Sequence, residues 1–521
     1  MKVRIITIAL AGLLLAASFP RINVYPLIWI AFFPLILISA RSHPLRALVY
    51  GFIYGEAFFI TMLYWIYLVL NVHASLGIFL SVLILLLLTS YLSLYPSLFA
   101  FLISRAVNVY GDAAILLSPV IWVALEYVRG HLFSGFPWGL AGYALSSNTS
   151  MIQMASLTGV YGLSFLILLA NASLAFLFIG KMSFRRATPL LVSLIIVLSF
   201  YGWGSWRVSV PLEGGRKIRV ACIQGNYGGN TNSGVDEGIV LSDYLQMTKK
   251  AAREGIRLIV WPESTTFFEV CGTTGYADLL KELCSGFDID LVLGSIHRAE
   301  EGDEEIYFNS AFHIRNDGEI DRRYDKIHLV PYGEYVPIPK ILFFVKRFVQ
   351  AAGDFSRGSE FTLMDYGGDP FSVLICYEVI FPEFVQQFNE RGPTFYVNIT
   401  NDAWFGSTAA PYQHFDFLKL RAVECGRYFV RSASTGISGI ISPRGDVLKS
   451  TGIFSREIME CEIQTMSHST FYSRAGHWFP VPCAIMTFVF ILSLFFSSWG
   501  QVERGAMPED QAGMEGESRM E

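Results

Sequence analysis

Two kinds of hydrophobic patterning divide the chain near Pro211. Before it, apolar residues run almost unbroken between short polar loops; after it, short apolar runs alternate with amphipathic stretches. Long apolar runs predict membrane-crossing helices, since about twenty residues span a bilayer core. Seven are expected, over about 5–19, 22–40, 47–70, 76–104, 113–128, 155–180 and 187–205, and an eighth over about 479–498. The first is short. Lys2 and Arg4 before its apolar core and Ala16-Ala17-Ser18 after it also fit a cleaved signal peptide. Because the next run follows at once and would pair with it as a hairpin, a retained helix is expected. Beyond Pro211, strands are expected over 218–224, 258–261, 291–295, 311–314, 371–375 and 395–399, and helices over about 241–254, 276–286 and 411–427. Such alternation implies a layered α/β domain. The expected organisation is a transmembrane domain over 1–210, an α/β domain over 211–473, a terminal membrane helix over 474–500 and a disordered cytoplasmic tail over 501–521.

Charge sharpens this division. Of the 83 charged residues only 14 precede Pro211, eleven basic and three acidic, so a hydrophobic content of 53% averages a membrane-like half with one of soluble composition. With the N-terminus inside, Lys2, Arg4, Arg41, Arg46, Arg105, Lys181, Arg185 and Arg186 fall on one side, whereas the short loops on the other carry Arg21 and Arg129. Basic loops stay in the cytoplasm, so both termini are expected there and the α/β domain on the outer face of the cytoplasmic membrane. A net charge of −5 without a basic stripe argues against nucleic acid as a partner. The seven cysteines form no CxxC pair, and nothing in their spacing demands a disulfide such as Cys271 with Cys284.

Two features of the membrane half exceed a plain anchor. Glu56 lies inside the third run, where an ionisable group is costly and faces protein or a watery cavity. The loop Gly-Phe-Pro-Trp-Gly-Leu-Ala-Gly-Tyr over 135–143, preceded by Glu126 and Arg129, is either an interfacial aromatic belt or part of a site.

The candidate chemistry lies in the second half. The segment 371–378 reads Phe-Ser-Val-Leu-Ile-Cys-Tyr-Glu, which puts Cys376 at the end of a buried strand, where a thiol is either a small core residue or a nucleophile. Glu263 ends another apolar run, and Lys326 precedes a Pro/Gly-rich turn. A thiol of ordinary pKa near 8.5 is mostly protonated at neutral pH and needs a base or a cation beside it. Glu263 would take its proton, and Lys326 would stabilise the thiolate and the oxyanion of a tetrahedral intermediate. His328, His414 and His477 show no HxxxH or HExxH spacing and no Gly-rich phosphate loop is present, so neither a metal nor a nucleotide cofactor is expected. The basic, apolar segment 338–349, with Ile338, Leu342, Phe343 and Phe344, reads as a membrane-surface arm that admits acyl chains.

Trp-Pro-Glu ending at Glu263, Lys-Ile-His-Leu-Val-Pro-Tyr-Gly-Glu-Tyr-Val-Pro from Lys326, Cys-Tyr-Glu from Cys376 and Asn-Asp-Ala-Trp-Phe-Gly from Asn401 resemble, in order and spacing, the nitrilase (carbon–nitrogen hydrolase) superfamily. That resemblance implies an αββα sandwich with a Glu-Lys-Cys triad of Glu263, Lys326 and Cys376, supported by Glu334, Glu378, Tyr377 and Asn309. Residue chemistry alone leaves Glu334 and Glu378 solvated, orienting Lys326 or tuning the general base, and Asn309 a turn cap. Set among eight apolar runs, the domain resembles the bacterial apolipoprotein N-acyltransferase family. The implied activity passes an acyl chain from a phospholipid through a Cys376 thioester to the α-amino group of a diacylglyceryl-cysteine on an apolipoprotein. The implied partners are phospholipid donor, diacylated apolipoprotein acceptor and membrane lipid, and the enzyme is expected to be a monomer. Two rivals remain: a membrane-anchored amidase or nitrilase, and a non-catalytic envelope scaffold that would tolerate Cys376→Ser.

Overall fold

A computed structural model describes residues 1–228, 236–266, 270, 275–302, 304–335 and 355–505, with side chains beyond 497 and at 301 left out. Segment 338–349, where the acyl-admitting arm is expected, lies outside the described residues.

Among the described residues six helices are long and apolar enough to cross a membrane: Pro44–Leu63, Gly77–Tyr110, Asp112–His131, Ala155–Phe178, Phe184–Ser209 and Phe471–Ser497. The count of eight is not reached on this measure. Helix Lys2–Ala17 has 16 residues, about 24 Å at 1.5 Å per residue against a core of about 30 Å. The second run is broken into Tyr25–Leu27, Ile28–Ala31 and Phe33–Ala40, with Pro34 starting the last piece. Both short helices still pack on the bundle, and Gly12 lies so close to Pro44–Leu63 that a Cβ there would stand 2.5 Å from the Tyr54 carbonyl. The terminal helix runs on to Gly505, into the stretch expected to be tail.

The α/β half has twelve strands among the described residues: β1 (Lys217–Gln224), β2 (Leu258–Val260), β3 (Asp290–Glu301), β4 (Glu304–Ile314), β5 (Ile320–Asp325), β6 (Leu363–Tyr366), β7 (Asp369–Ile375), β8 (Phe395–Thr400), β9 (Phe429–Ala433), β10 (Gly439–Ile441), β11 (Val447–Ser450) and β12 (Glu457–Gln464). They form two six-stranded sheets, ordered β12-β1-β2-β3-β4-β5 and β11-β10-β9-β8-β7-β6. In each, three parallel strands (β1, β2, β3 and β7, β8, β9) form the middle and antiparallel strands the flanks.

Side-chain alternation explains the layering. Ala221, Ile223, Ile259, Leu291 and Leu293 pack under helices Glu237–Arg253 and Gly275–Phe287. Their neighbours Val220, Cys222, Leu258, Val260 and Val292 belong instead to the larger core shared with Val373, Ile375, Val397, Ile399 and Val430 of the other sheet. That core continues without a break into the helical bundle. The six described cysteines, Cys284 among them, are all free thiols; Cys271 lies outside the described residues.

The sandwich sits at one end of the bundle. There Arg21 donates to the Ser407 carbonyl (3.3 Å), the Ala409 N–H to the Tyr64 hydroxyl (3.1 Å) and Gln413 to the Pro20 carbonyl (3.0 Å). At the opposite end of the same helices Arg4 reaches Ser42, Arg41 the Phe178 carbonyl and Arg186 Asp112.

Candidate active site

Strand ends bring the candidate groups together. Cys376 follows β7 as the first residue of a helical turn, Cys376–Ile380, with φ at +51°, a left-handed conformation unusual for a residue with a Cβ. Lys326 follows β5 and is 1% exposed; Glu263 follows β2 and is 5% exposed. Lys326 Nζ lies 2.8 Å from Glu334 Oε1 and 3.5 Å from Glu263 Oε1. Asn309 on β4 donates to both carboxylates, at 2.8 Å each. The remaining oxygens are also held, Glu263 Oε2 by the Asn401 N–H and Glu334 Oε2 by the Val330 N–H, both at 2.8 Å. Two acids and an amide thus fix one ammonium, and Asn309 is a bridge rather than a turn cap.

Cys376 is within electrostatic reach of this cluster. Burial, and then the negative charge of Glu263, push its thiol well above the ordinary range, while Lys326 pulls it down. The resting sulfur is therefore a thiol. Burial alone would lower Lys326, but Glu334, Glu263 and Cys376 hold it above its ordinary value, so it stays an ammonium. A protonated nucleophile beside a carboxylate and a fixed cation can attack a carbonyl only as its proton moves to the carboxylate, while the cation meets the developing oxyanion.

Glu378 acts on the backbone and not on the ammonium. Its two oxygens accept from the Tyr324 hydroxyl (2.6 Å) and the N–H groups of Ile327 (2.9 Å), His328 (3.1 Å) and Ile375 (2.8 Å). It thereby ties the Lys326 loop to the end of β7, and it is neither solvated nor bonded to Lys326. Burial raises its pKa to about 7 against the pull of the Tyr324 and Ile375 hydrogen bonds. The Tyr377 ring packs edge-on to Phe381 at 5.0 Å and tilted to His328 at 6.0 Å.

Three residues given no role from sequence support the turn that begins with Cys376. His414 Nε2 lies 3.2 Å from the Cys376 carbonyl oxygen, and its Nδ1 3.1 Å from Asp402. Arg431 holds the other Asp402 oxygen at 2.6 Å. The signal was the Asn-Asp pair after β8, visible as a motif without a partner. Gly294 on β3 was missed too: a Cβ there would stand 2.6 Å from Glu263 Cα, so only glycine lets the carboxylate take this place.

The 135–143 loop is neither an exposed belt nor a bystander. Glu126 accepts from the Ala141 N–H (2.7 Å), Arg129 donates to the Gly139 carbonyl (3.2 Å) and buried Trp138 donates to Gln413 (2.9 Å). The Tyr143 hydroxyl reaches the Ile380 carbonyl at 3.3 Å, so the loop seats directly on the turn that begins with Cys376. Glu56 is half-buried with one oxygen bonded to Thr89 (2.9 Å) and the other unpaired, far in sequence from these elements and not part of the cluster.

A two-sheet sandwich whose strand ends bring a carboxylate, an amine and a thiol within electrostatic reach of one another has the architecture of a nitrilase-fold domain, here seated on membrane helices. Residues 219–470 match the carbon–nitrogen hydrolase family, and residues 11–173 match the apolipoprotein N-acyltransferase N-terminal domain. The chain is 40% identical to an apolipoprotein N-acyltransferase of Geobacter metallireducens, over 91% of this chain and 92% of that protein. It is 32% identical to the one of Bradyrhizobium diazoefficiens over 92% and 93%. Among solved structures it is similar to yeast Nit3, with 20% identity, TM-score 0.39, and coverage of 49% of this chain and 93% of that one. The chain belongs to the apolipoprotein N-acyltransferase family and is a membrane-bound acyltransferase. An amidase is supported only at the level of the wider superfamily.

Proposed function

We propose that the enzyme transfers an acyl chain from a phospholipid to the α-amino group of a diacylglyceryl-cysteine at an apolipoprotein N-terminus, in two steps on Cys376. In the first, Glu263 takes the thiol proton as sulfur attacks the ester carbonyl; the tetrahedral oxyanion forms beside Lys326 and collapses to a thioester, and the lysophospholipid alkoxide leaves with the proton held by Glu263. In the second, the amine attacks the thioester, loses its proton to Glu263, and the thiol is regenerated. Asn309 and Glu334 keep Lys326 aimed, and Glu378 and Tyr377 shape the turn. The domain works on the outer face of the cytoplasmic membrane, with both termini inside and the boundaries near 211, 473 and 500. Its expected substrates are phospholipid and diacylated apolipoprotein, taken from the surrounding membrane by a monomer.

The observation that carries this reading is the pairing of Lys326 with Glu263, distant in sequence yet buried side by side within reach of the Cys376 sulfur. The test is intact-mass analysis of purified protein after incubation with labelled phospholipid and no acceptor. One acyl adduct on wild type, absent from Cys376→Ala and Glu263→Gln, is expected, and addition of a diacylated lipopeptide should discharge it as amide. An adduct surviving in Cys376→Ala would overturn the assignment.

A further inference from the structure

A second cluster lies outside this site, at the seam between bundle and sandwich. His131 ends the helix Ser118–His131, Glu383 opens the helix Pro382–Asn389 that starts six residues beyond Cys376, and His477 lies in the turn Gly476–Trp478 just ahead of the helix Pro480–Gly505. One ligand-type atom from each falls within 4.8 Å of the other two. We propose that these three residues bind a divalent transition-metal ion of the zinc class.

Three further observations point to a cation. His131 Nδ1 is 2.8 Å from the Tyr127 carbonyl, an oxygen that can only accept, so Nδ1 carries the proton and Nε2 presents its lone pair outward. His477 Nδ1 is 3.2 Å from the Tyr127 hydroxyl, so in the matching tautomer its Nε2 is also bare. An imidazole that donates its second N–H to an outer oxygen is the arrangement metal-binding histidines adopt. Glu383 Oε1 is buried without a hydrogen bond of good geometry, and the Tyr161 hydroxyl beside this carboxylate is a neutral partner for it, electrostatically and by a loose hydrogen bond. A bound cation would satisfy that oxygen.

Two imidazoles and a carboxylate suit zinc, whose ligand atoms at about 2.0–2.2 Å from the metal leave a fourth position for water. Tetrahedral geometry at that radius sets donors about 3.3 Å apart, so the widest pair must close. His131 is exposed, and an open cleft of about 580 Å³ reaches His477 from solvent. The ion would join the bundle, the helix behind the nucleophile turn and the last membrane helix.

The test uses tag-free, full-length protein in detergent carrying Cys376→Ala, which removes the active-site thiol as a competitor for metal. Zinc titration by calorimetry should show a single saturable site and a rise in the unfolding midpoint that saturates with it, and Co²⁺ should give the intense visible bands of a four- or five-coordinate site. Glu383→Gln and the double variant His131→Ala/His477→Ala should lose this binding, and Tyr127→Phe should weaken it by about tenfold, as loss of an outer-shell partner does. His131→Ala alone, at an exposed position, should unfold metal-free at the wild-type midpoint, which separates lost ligation from lost folding. Equal binding by the double variant, no saturable uptake, or the pale spectrum of hydrated Co²⁺ would overturn the assignment.

Discussion

Glu334→Gln tests whether the second carboxylate aims the ammonium or merely lies near it. Glu334 accepts from Lys326 Nζ and Asn309 through one oxygen and from the Val330 N–H through the other, each at 2.8 Å. A glutamine keeps the shape but has one acceptor oxygen. Turned toward Lys326, its NH2 opposes the Val330 N–H; turned the other way, it opposes the ammonium and Asn309. Lys326 is left with Glu263 at 3.5 Å as its one charged partner among the described residues.

A hydrogen bond to a charged group is worth about 1.5–3 kcal/mol, and an unsatisfied buried donor costs about 1–3 kcal/mol. Felt only in the transition state, where Lys326 meets the oxyanion, that loss slows acylation by about 10- to 100-fold. The assay is the time course of the Cys376 acyl adduct across phospholipid concentrations. The maximal rate should fall while the half-saturating concentration holds, and the unfolding midpoint should drop modestly. Acylation at the wild-type rate in a folded variant, or a change confined to half-saturation, would refute the aiming role.

Two more outcomes follow from the surrounding network. His414→Ala strips the donor from the Cys376 carbonyl and one partner from Asp402; adduct formation should slow by about tenfold or more, and His414→Gln, which keeps a donor, should recover part of it. His328 is held neutral, its pKa lowered from 6.5 to about 4 by burial and then by Arg357. Between those values the unfolded chain binds more protons than the folded one, so stability falls as pH drops through this window, by about 3 kcal/mol at 1.36 kcal/mol per unit. His328→Gln should flatten that acid limb in thermal unfolding measured from pH 7 to 4.

Several strands were legible because alternation and length are local signals: 371–375 and 395–399 lie within β7 and β8, and 218–224 within β1. Edge strands were not. Val447–Ser450 is exposed along its whole length and Ile320–Asp325 is mostly charged, so neither shows the apolar run that marked the parallel strands. The roles of Glu378 and Asn309 were hidden for another reason: a carboxylate that collects backbone N–H groups looks, in sequence, like any solvated acid. His414 and Gly294 act on residues that only folding brings near. In the membrane half, composition fixed the long helices, but the break near Phe32 depends on Asn171, whose side chain accepts from the Phe32 and Phe33 N–H groups at 3.0 and 2.9 Å from another helix.

In the proposed reaction, what separates transfer from hydrolysis is the fate of the Cys376 thioester, and the loop seated on the Cys376 turn bears on it directly. A held amine reaches effective molarities of about 10⁵–10⁸ M, so it outruns water only while the site keeps its shape and stays dry. Trp138 is the pivot of that loop: 2% exposed, bonded to Gln413, with its ring 5.0 Å from both Trp65 and Phe417. Trp138→Leu leaves an apolar side chain but removes the N–H and much of the ring volume, a loss of about 3 kcal/mol or more by analogy with other large-to-small core changes. The loosened loop should admit water before it abolishes acylation. With labelled phospholipid and a diacylated lipopeptide, the ratio of free fatty acid to acylated peptide should therefore rise in this variant while the adduct still forms. A folded variant with less of both products in an unchanged ratio would mean that the loop positions the nucleophile turn and has no part in excluding water.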